Sequence, residues 1–381
     1  METDNRIKRI DAELVRLGLD LYLATNTSDI RWITGFPNVF DSEQAHAMLI
    51  VSTSLASQPR RLLHTDMRYS GAMRPLSGGV LDVLDEERRS HSAFVVDQLR
   101  ALSAGEPGFQ RGIRIGIESD LPLSSFRNLD KTLAEADIGS YELVETDSFI
   151  LQLRAVKDAS EIADIKAAQA ITDAAFLHML DYLRSGLTEA EAAVELDFFM
   201  RKAGAPGLAF TSILASAERA ALPHAVPGGR LLEPGDFVLM DFGARVNDYC
   251  SDMTRTVVLG QASQRQREIY ETVLVAQLAA LDMIRPGLPA ADAQLEVNRI
   301  FAERGFEPLS HGLGHGVGID IHEQPVMSAS AEGELAVGHV VTVEPGIYLE
   351  GFGGVRIEDF GVVTADGFDD FTASAKQLIE L

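Results

Sequence analysis

The sequence predicts two domains: an α/β layer domain over residues 1–150, and an α+β domain over residues 151–381 built from two similar halves. Three observations carry this. The chain has 381 residues, more than the ~250–300 at which single cores usually stop growing. The first 150 residues alternate strand-like and helix-like segments. The remainder runs helix pair, strands, helix pair, strands. With 46% hydrophobic and 24% charged residues, the composition excludes a disordered or fibrous chain.

In the first domain Ile7, Ile10, Leu14 and Leu17 fall at helical spacing, and Gly18 stops that helix. LDLYLAT, AHAMLIVS and RRLLHTD follow as strands. A helix is expected near 88–102, a strand at 114–119, a helix near 124–136 and a strand at 141–147. Strands alternating with helices give an α/β layer architecture.

The boundary falls near 148–158. Asp158 and Glu161 have capping-box spacing and open a long helix with Ile162, Ile165, Ala168, Ile171, Ala175 and Met179 on one side. Thr188 and Glu191 repeat the device before a second helix, which Gly204 stops. Ser263 opens a third helix that ends at Arg285-Pro286-Gly287. A fourth, from about 290 to 304, ends at Gly305. Strand-rich stretches occupy 236–259, 319–322, 338–349 and 353–364. The repeat is one of element type, not of sequence.

Lys and Arg number 33 against 57 Asp and Glu, a formal net charge of −24. So acidic a surface repels phosphate backbones and anionic headgroups, which excludes nucleic acid and membrane as partners. Bound cations would neutralise part of that charge. The single cysteine, Cys250, cannot form an intramolecular disulfide. The opening METDNRIKRIDAELVRLG has no apolar signal-peptide region, and no run approaches 18 uninterrupted apolar residues. A cytoplasmic protein is expected.

Three clusters carry chemistry. In DFGARVNDYCSDMTRTVV, strand material flanks a turn-prone Asn247-Asp248. A turn centred near Val246-Asn247 would set Asp241 directly opposite Asp252, with Cβ atoms about 5 Å apart. Carboxylates that close repel unless something positive intervenes. Solvated aspartates beside a turn would look similar. That reading suits Asp248, but not Asp241, which follows Val238-Leu239-Met240.

In HGLGHGVGIDIHE, His311 and His315 are four apart, but the glycines at 312, 314, 316 and 318 make a helix improbable. Glycine there would let backbone approach a ligand. Ile319-Asp320-Ile321-His322 alternates as a strand, with His322 facing the same way as Asp320. A lone histidine is more often a packed core residue. Three in twelve glycine-rich residues point to a site. In VVTVEPGIYLEGFGGVRIEDFGVV, apolar strand ends lead into Glu344 and Glu358. A glutamate in a buried strand is rarely left unpaired. Arg356, which alternates with Glu358, would explain one glutamate but not both.

Four carboxylates and one histidine thus sit at strand ends of one domain. Four clustered carboxylates need about four positive charges to stay ionised, which two divalent metals supply. Oxygen ligands with one imidazole favour Mn²⁺, Co²⁺, Fe²⁺ or Zn²⁺. Two metals about 3.5–4 Å apart activate water and polarise a carbonyl or phosphoryl group, so the chemistry is hydrolysis.

The set LPHAVPG (222–228), MDFGARVNDYCSDMTRTV (240–257), HGLGHGVGIDIHE (311–323), TVEPGIY (342–348) and GVRIED (354–359) resembles the pita-bread metallopeptidases. The branch it is most similar to is the Xaa-Pro aminopeptidases and Xaa-Pro dipeptidases (prolidases). NTSDIRWITGF (26–36) and HTDMRY (64–69) are similar to that branch's creatinase-like N-terminal domain. Five motifs in one order make the resemblance specific. It implies an α/β N-terminal domain plus an α+β pita-bread C-terminal domain, with pseudo-twofold halves of helix pair and antiparallel sheet.

The resemblance further implies two divalent metal ions per chain, Mn²⁺ first, with Co²⁺, Fe²⁺ or Zn²⁺ as alternatives. Their ligands would be Asp241, Asp252, His315, Glu344 and Glu358, with Asp252 and Glu358 bridging. Glu344 would also handle the proton of the attacking water. His224 and His322 would contact substrate and stabilise the tetrahedral intermediate. Arg356 and Tyr348 match supporting positions. The implied substrates are short peptides with proline second, and the implied assembly is a homodimer in which one chain's first domain helps shape the other's site. One position departs from the prolidase pattern: Val326 stands where an arginine would clamp a dipeptide's carboxylate, which favours longer Xaa-Pro peptides. A methionine aminopeptidase would lack the first domain. A creatinase-like amidinohydrolase would depart from the ligand set. A non-catalytic peptide-binding module would have lost ligands.

Overall fold

The computed structural model of the chain describes residues 2–36, 46–103, 112–147 and 149–381. It divides into two compact units, residues 1–154 and 155–381.

In the first unit, α1 (Glu2–Leu17) ends at Gly18, whose φ of +65° is the left-handed stop that the sequence predicts. The strands are β1 (Leu21–Ala24), β2 (His46–Val51), β3 (Arg60–Thr65), β4 (Val83–Asp85), β5 (Ile113–Ile117) and β6 (Tyr141–Glu145). They form one mixed sheet in the order β4-β3-β2-β1-β5-β6. The helices are α2 (Thr27–Thr34), α3 (Met67–Met73), α4 (His91–Ser103), α5 (Leu123–Glu135) and α6 (Phe149–Ala155). Leu21, Leu49, Phe94, Leu99, Ile115 and Leu133 share the core. The sequence reading passes over α2, although its signals are present. Asn26 Oδ1 accepts from the Ser28 and Asp29 amides, and Gly35 closes the helix at φ +63°.

In the second unit the pseudo-repeat is evident. The first half has α7 (Ala159–Tyr182) and α8 (Glu189–Lys202), each opened by the predicted capping box. Its strands are β7 (Gly207–Leu208), β8 (Ile213–Ser216), β9 (Phe237–Phe242), β10 (Ala244–Val246), β11 (Tyr249–Cys250) and β12 (Met253–Val258). Phe176, Leu196, Met240 and Val257 fill its core. The second half has α9 (Gln264–Met283) and α10 (Asp292–Glu303), then β13 (Gly314–Gly316), β14 (Glu323–Met327), β15 (Val340–Val343), β16 (Gly346–Leu349), β17 (Gly353–Arg356), β18 (Asp359–Thr364) and β19 (Gly367–Asp370). Val273, Val297, Phe301, Val341 and Val363 fill a second core. The first half has a sheet of order β12-β9-β8, and the second a sheet of order β14-β13-β15-β18-β19.

Four expectations change. The turn centres on Asn247-Asp248, both at positive φ (46° and 75°), as a two-residue hairpin turn demands. Asp241 therefore pairs with Thr254, not Asp252. Asp252 lies two residues from that partner, so the two aspartates share a face diagonally. Asp248 is buried rather than solvated. Residues 319–322 form bends, not a strand, because Glu323 Oε1 accepts the Asp320 amide and closes a tight turn. The glycines of HGLGHGVG admit neighbouring strands: a Cβ on Gly314 would lie 2.1 Å from Thr342 O, and one on Gly316 would lie 2.1 Å from Gln324 O.

Two long predicted strands are each broken in the middle, and each break presents a carboxylate. Pro345 interrupts 338–349 after Glu344, since proline has no amide to donate. The stretch 353–364 breaks at Ile357-Glu358, where the Glu358 amide turns to Thr254 O at 3.1 Å.

Candidate metal centre

The two halves of the second unit deliver the predicted residues to one place. Asp241 comes from β9 and Asp252 from the entry to β12. His315 lies on β13, Glu344 just past β15, and Glu358 between β17 and β18. All five line a cavity of about 1100 Å³, together with His224, His311, His322 and Arg356.

Ligand atoms of Asp252, His315 and Glu358 lie within 4.8 Å of one another. His315 Nε2 is 3.6 Å from Asp252 Oδ2 and 3.4 Å from Glu344 Oε1. Two ligand atoms each about 2.0–2.2 Å from one ion sit about 3–3.5 Å apart, so these spacings suit shared coordination. His315 Nδ1 lies 3.1 Å from the Gly316 carbonyl, which only accepts. The proton is therefore on Nδ1, and the Nε2 lone pair faces the carboxylates. Burial, then the neighbouring His322, lowers His315 to about 4, so the ring is neutral at pH 7.

The carboxylates are held by one oxygen each. Asp241 Oδ2 accepts from Arg356 Nη2 at 2.5 Å, and Glu358 Oε2 accepts from Thr254 Oγ1 at 2.7 Å. Asp241 Oδ1 and Glu358 Oε1 are buried without a hydrogen-bond partner among the described residues. Buried polar atoms are rarely left so, and an incoming cation would satisfy both. Burial comes first, and the neighbouring carboxylates second, in raising Asp252 and Glu358 well above the usual range. Burial raises Glu344 to about 8, against the nearby Arg356 charge. A cluster that resists ionising together fits divalent metal.

Arg356 is buried and works as a bracket. Its Nε donates to Thr254 Oγ1 at 2.9 Å, and Nη1 donates to the Tyr348 hydroxyl at 2.8 Å. The sequence pairs Arg356 with Glu358; the structure pairs it with Asp241, because β17 runs beside β9 while Glu358 turns toward Thr254.

The Peptidase_M24 pattern, "Metallopeptidase family M24", matches residues 163–365. The chain belongs to metallopeptidase family M24. The "Creatinase/Prolidase N-terminal domain" matches residues 6–156 of the same M24 chain. A Xaa-Pro dipeptidase of Pyrococcus horikoshii is 35% identical over 82% of this chain and 91% of that protein. The solved structure of a Xaa-Pro dipeptidase from Bacillus anthracis superposes with a TM-score of 0.89 at 36% identity, covering 100% of both chains. An X-Pro aminopeptidase from Thermotoga maritima superposes with a TM-score of 0.83 at 32% identity, covering 97% of this chain and 100% of that one. The second unit is thus a pita-bread fold, and this M24 member is a metal-dependent hydrolase.

Of the other predicted residues, His224 and His322 are exposed on the cavity wall, and the His322 ring meets His315 edge-on at 4.3 Å. Tyr348 is not among the lining residues and reaches the site through Arg356. Val326 is also outside that lining and is 45% exposed. Irregular pairing of β13 with β14 buries Met327 beside it instead. Sequence reasoning missed Thr254, although Thr254 and Thr256 alternate in phase with Asp252 on one strand face. It also gave no role to His311, whose Nδ1 faces the Gly312 carbonyl while its Nε2 accepts from Tyr348. Among the described residues, no helix is long and apolar enough to cross a membrane.

Proposed function

We propose that this chain is a dinuclear-metal exopeptidase that hydrolyses the bond between an N-terminal residue and proline. The observation that carries the reading is the convergence of Asp241, Asp252, His315, Glu344 and Glu358 on one cavity, with Asp241 Oδ1 and Glu358 Oε1 buried and unpartnered. The names of the P. horikoshii and B. anthracis relatives support the substrate class.

Asp252 and Glu358 would each contribute to both ions, Asp241 to one, and His315 and Glu344 to the other. Bound there, the ions would supply a Lewis acid for the scissile carbonyl and a water acidic enough to attack it. Glu344, on the cavity wall 3.4 Å from His315 Nε2, would take that water's proton and return it to the departing proline nitrogen. His224 and His322 face the cavity as donors to the developing oxyanion. Arg356 stays a charged donor that holds Asp241.

The lysines and arginines among the residues lining the cavity are Arg219 and Arg356. Arg356 is engaged by Asp241, and Arg219 by Glu189. That supports preference for Xaa-Pro-Yaa over Xaa-Pro. The deciding experiment incubates both peptide types with the Mn²⁺-loaded enzyme and measures the freed N-terminal residue. Release from neither, at two metals per chain, would overturn the reading.

A further inference from the structure

Residues 216–228 leave the end of β8, pass through a 3-10 helix (Ala217–Ala221) and bring His224 to the cavity. One side chain grips both ends of this segment. Glu189, the first residue of α8, is fully buried. Its Oε1 accepts from the Ser216 amide and hydroxyl, each at 2.9 Å. Its Oε2 accepts from Arg219 Nε at 2.9 Å and from the Gly228 amide at 3.1 Å. Arg219 Nη2 then donates to Val226 O at 2.6 Å. Between the grips, Ala225 is buried with Ala215, Ala220 and Leu239. His224, its neighbour, is thereby held at the cavity wall.

Helix capping does not account for this arrangement. Thr188 and Glu191 already form a complete capping box on α8, in which the Glu191 carboxylate accepts from the Thr188 amide and hydroxyl. Burying a carboxylate is costly unless its oxygens are satisfied. Here all four donors come from the segment that carries His224.

We propose that Glu189 is a positioning residue for the reaction: it fixes the 216–228 segment so that His224 meets the substrate carbonyl in a single place. The inference rests on the assignment of His224 as a substrate donor. A donor acts in the transition state only when its geometry is set beforehand, and a displacement of about 1 Å can cost about a hundredfold. Glutamine keeps the shape of Glu189 but sets an NH₂ against two of the four donors, leaving Arg219 without its counter-charge.

The test compares Glu189→Gln, His224→Ala and the double variant. It reads kcat and KM on one Xaa-Pro-Yaa peptide, metal per chain, and amide exchange of residues 216–228 in the metal-free protein. Glu189→Gln is expected to keep its metal, speed exchange in that segment and lower kcat by about ten- to a hundredfold. KM should move by less than about threefold. In the His224→Ala background it should add less than about twofold. A multiplicative loss in the double variant, or wild-type kcat despite faster exchange, would overturn the proposal while leaving His224's role intact. If His224→Ala itself keeps full kcat, the underlying site assignment fails and the proposal falls with it. Should Glu189→Gln not fold, Arg219→Ala removes one of the four donors to Glu189 together with the link to Val226. The same acceleration of exchange and the same non-additivity with His224→Ala are expected, and their absence counts against the proposal.

Discussion

Arg356 Nη2 donates to Asp241 Oδ2 at 2.5 Å, and the other oxygen of Asp241 is buried with no hydrogen-bond partner among the described residues. Thr254 treats Glu358 the same way, engaging Oε2 and leaving Oε1 unpartnered. Each carboxylate is thus oriented by one hydrogen bond before any ligand arrives, as expected of metal-binding groups with outer-shell support.

The first prediction concerns metal. The purified protein should bind two divalent ions per chain by elemental analysis, and chelation should abolish peptide hydrolysis. Asp252→Asn should lose both ions and at least about a hundredfold in activity while keeping its circular dichroism. Full activity of that variant after exhaustive chelation would rule out the metal centre.

Thr254→Val keeps volume and β-branching but removes the hydroxyl that Glu358 and Arg356 share. Metal affinity should fall about ten- to a hundredfold, the usual cost of losing an outer-shell partner. Titration of the metal-free variant with Mn²⁺ measures it, and unchanged affinity would show that Glu358 is oriented by something else.

His322→Ala should spare metal content and lower turnover by about ten- to a thousandfold, the range for one transition-state donor. Stoichiometric loss of metal would instead make His322 a ligand.

Stability of the metal-free protein should fall as pH rises from about 6.5 to about 8. Glu344 is raised to about 8, so folding takes up a proton in this window, and Asp252 and Glu358 are shifted in the same direction. Stability held by such groups is complete below their unfolded values and is lost as pH climbs through the folded ones. His315, lowered to about 4, acts in the opposite sense, but only below about 6.5. Saturating Mn²⁺ should flatten or reverse the slope, because metal displaces the protons. Thermal unfolding at pH 6.5 and 8, with and without metal, provides the measurement. A metal-free Tm that rises across this window would contradict it.

Peptide length is the remaining test. A dipeptide's carboxylate lies one residue past the scissile bond, and both arginines lining the cavity already have acidic partners. Xaa-Pro-Yaa should be cleaved with kcat/KM at least about tenfold above Xaa-Pro, the order of one lost charge-assisted hydrogen bond. A clear preference for dipeptides would point to Arg219 as the first place to seek a clamp, since its Nε and Nη2 hold Glu189 and Val226 while, among the described residues, no hydrogen bond engages its Nη1.

The local chemistry of the chain was legible in the sequence. Capping boxes at Asp158/Glu161 and Thr188/Glu191, and the cap residue Ser263, place three helix starts, because capping depends on residues a few positions apart. The carboxylates at strand ends and the glycine-framed His315 marked a candidate metal site for the same reason: a charged group entering an apolar run is conspicuous by composition alone. Long-range register decided the rest. Pairing Asp241 with Thr254 instead of Asp252 required the turn at Asn247-Asp248 to be seen, and a shift of two residues keeps every side chain on its face, so the hydrophobic pattern cannot distinguish the two. Arg356's choice of Asp241 over its sequence neighbour Glu358, and Glu189's grip on residues 216 and 228, join groups 115, 27 and 39 residues apart. Only tertiary packing brings such groups together, because nothing in the local sequence of either partner specifies the other.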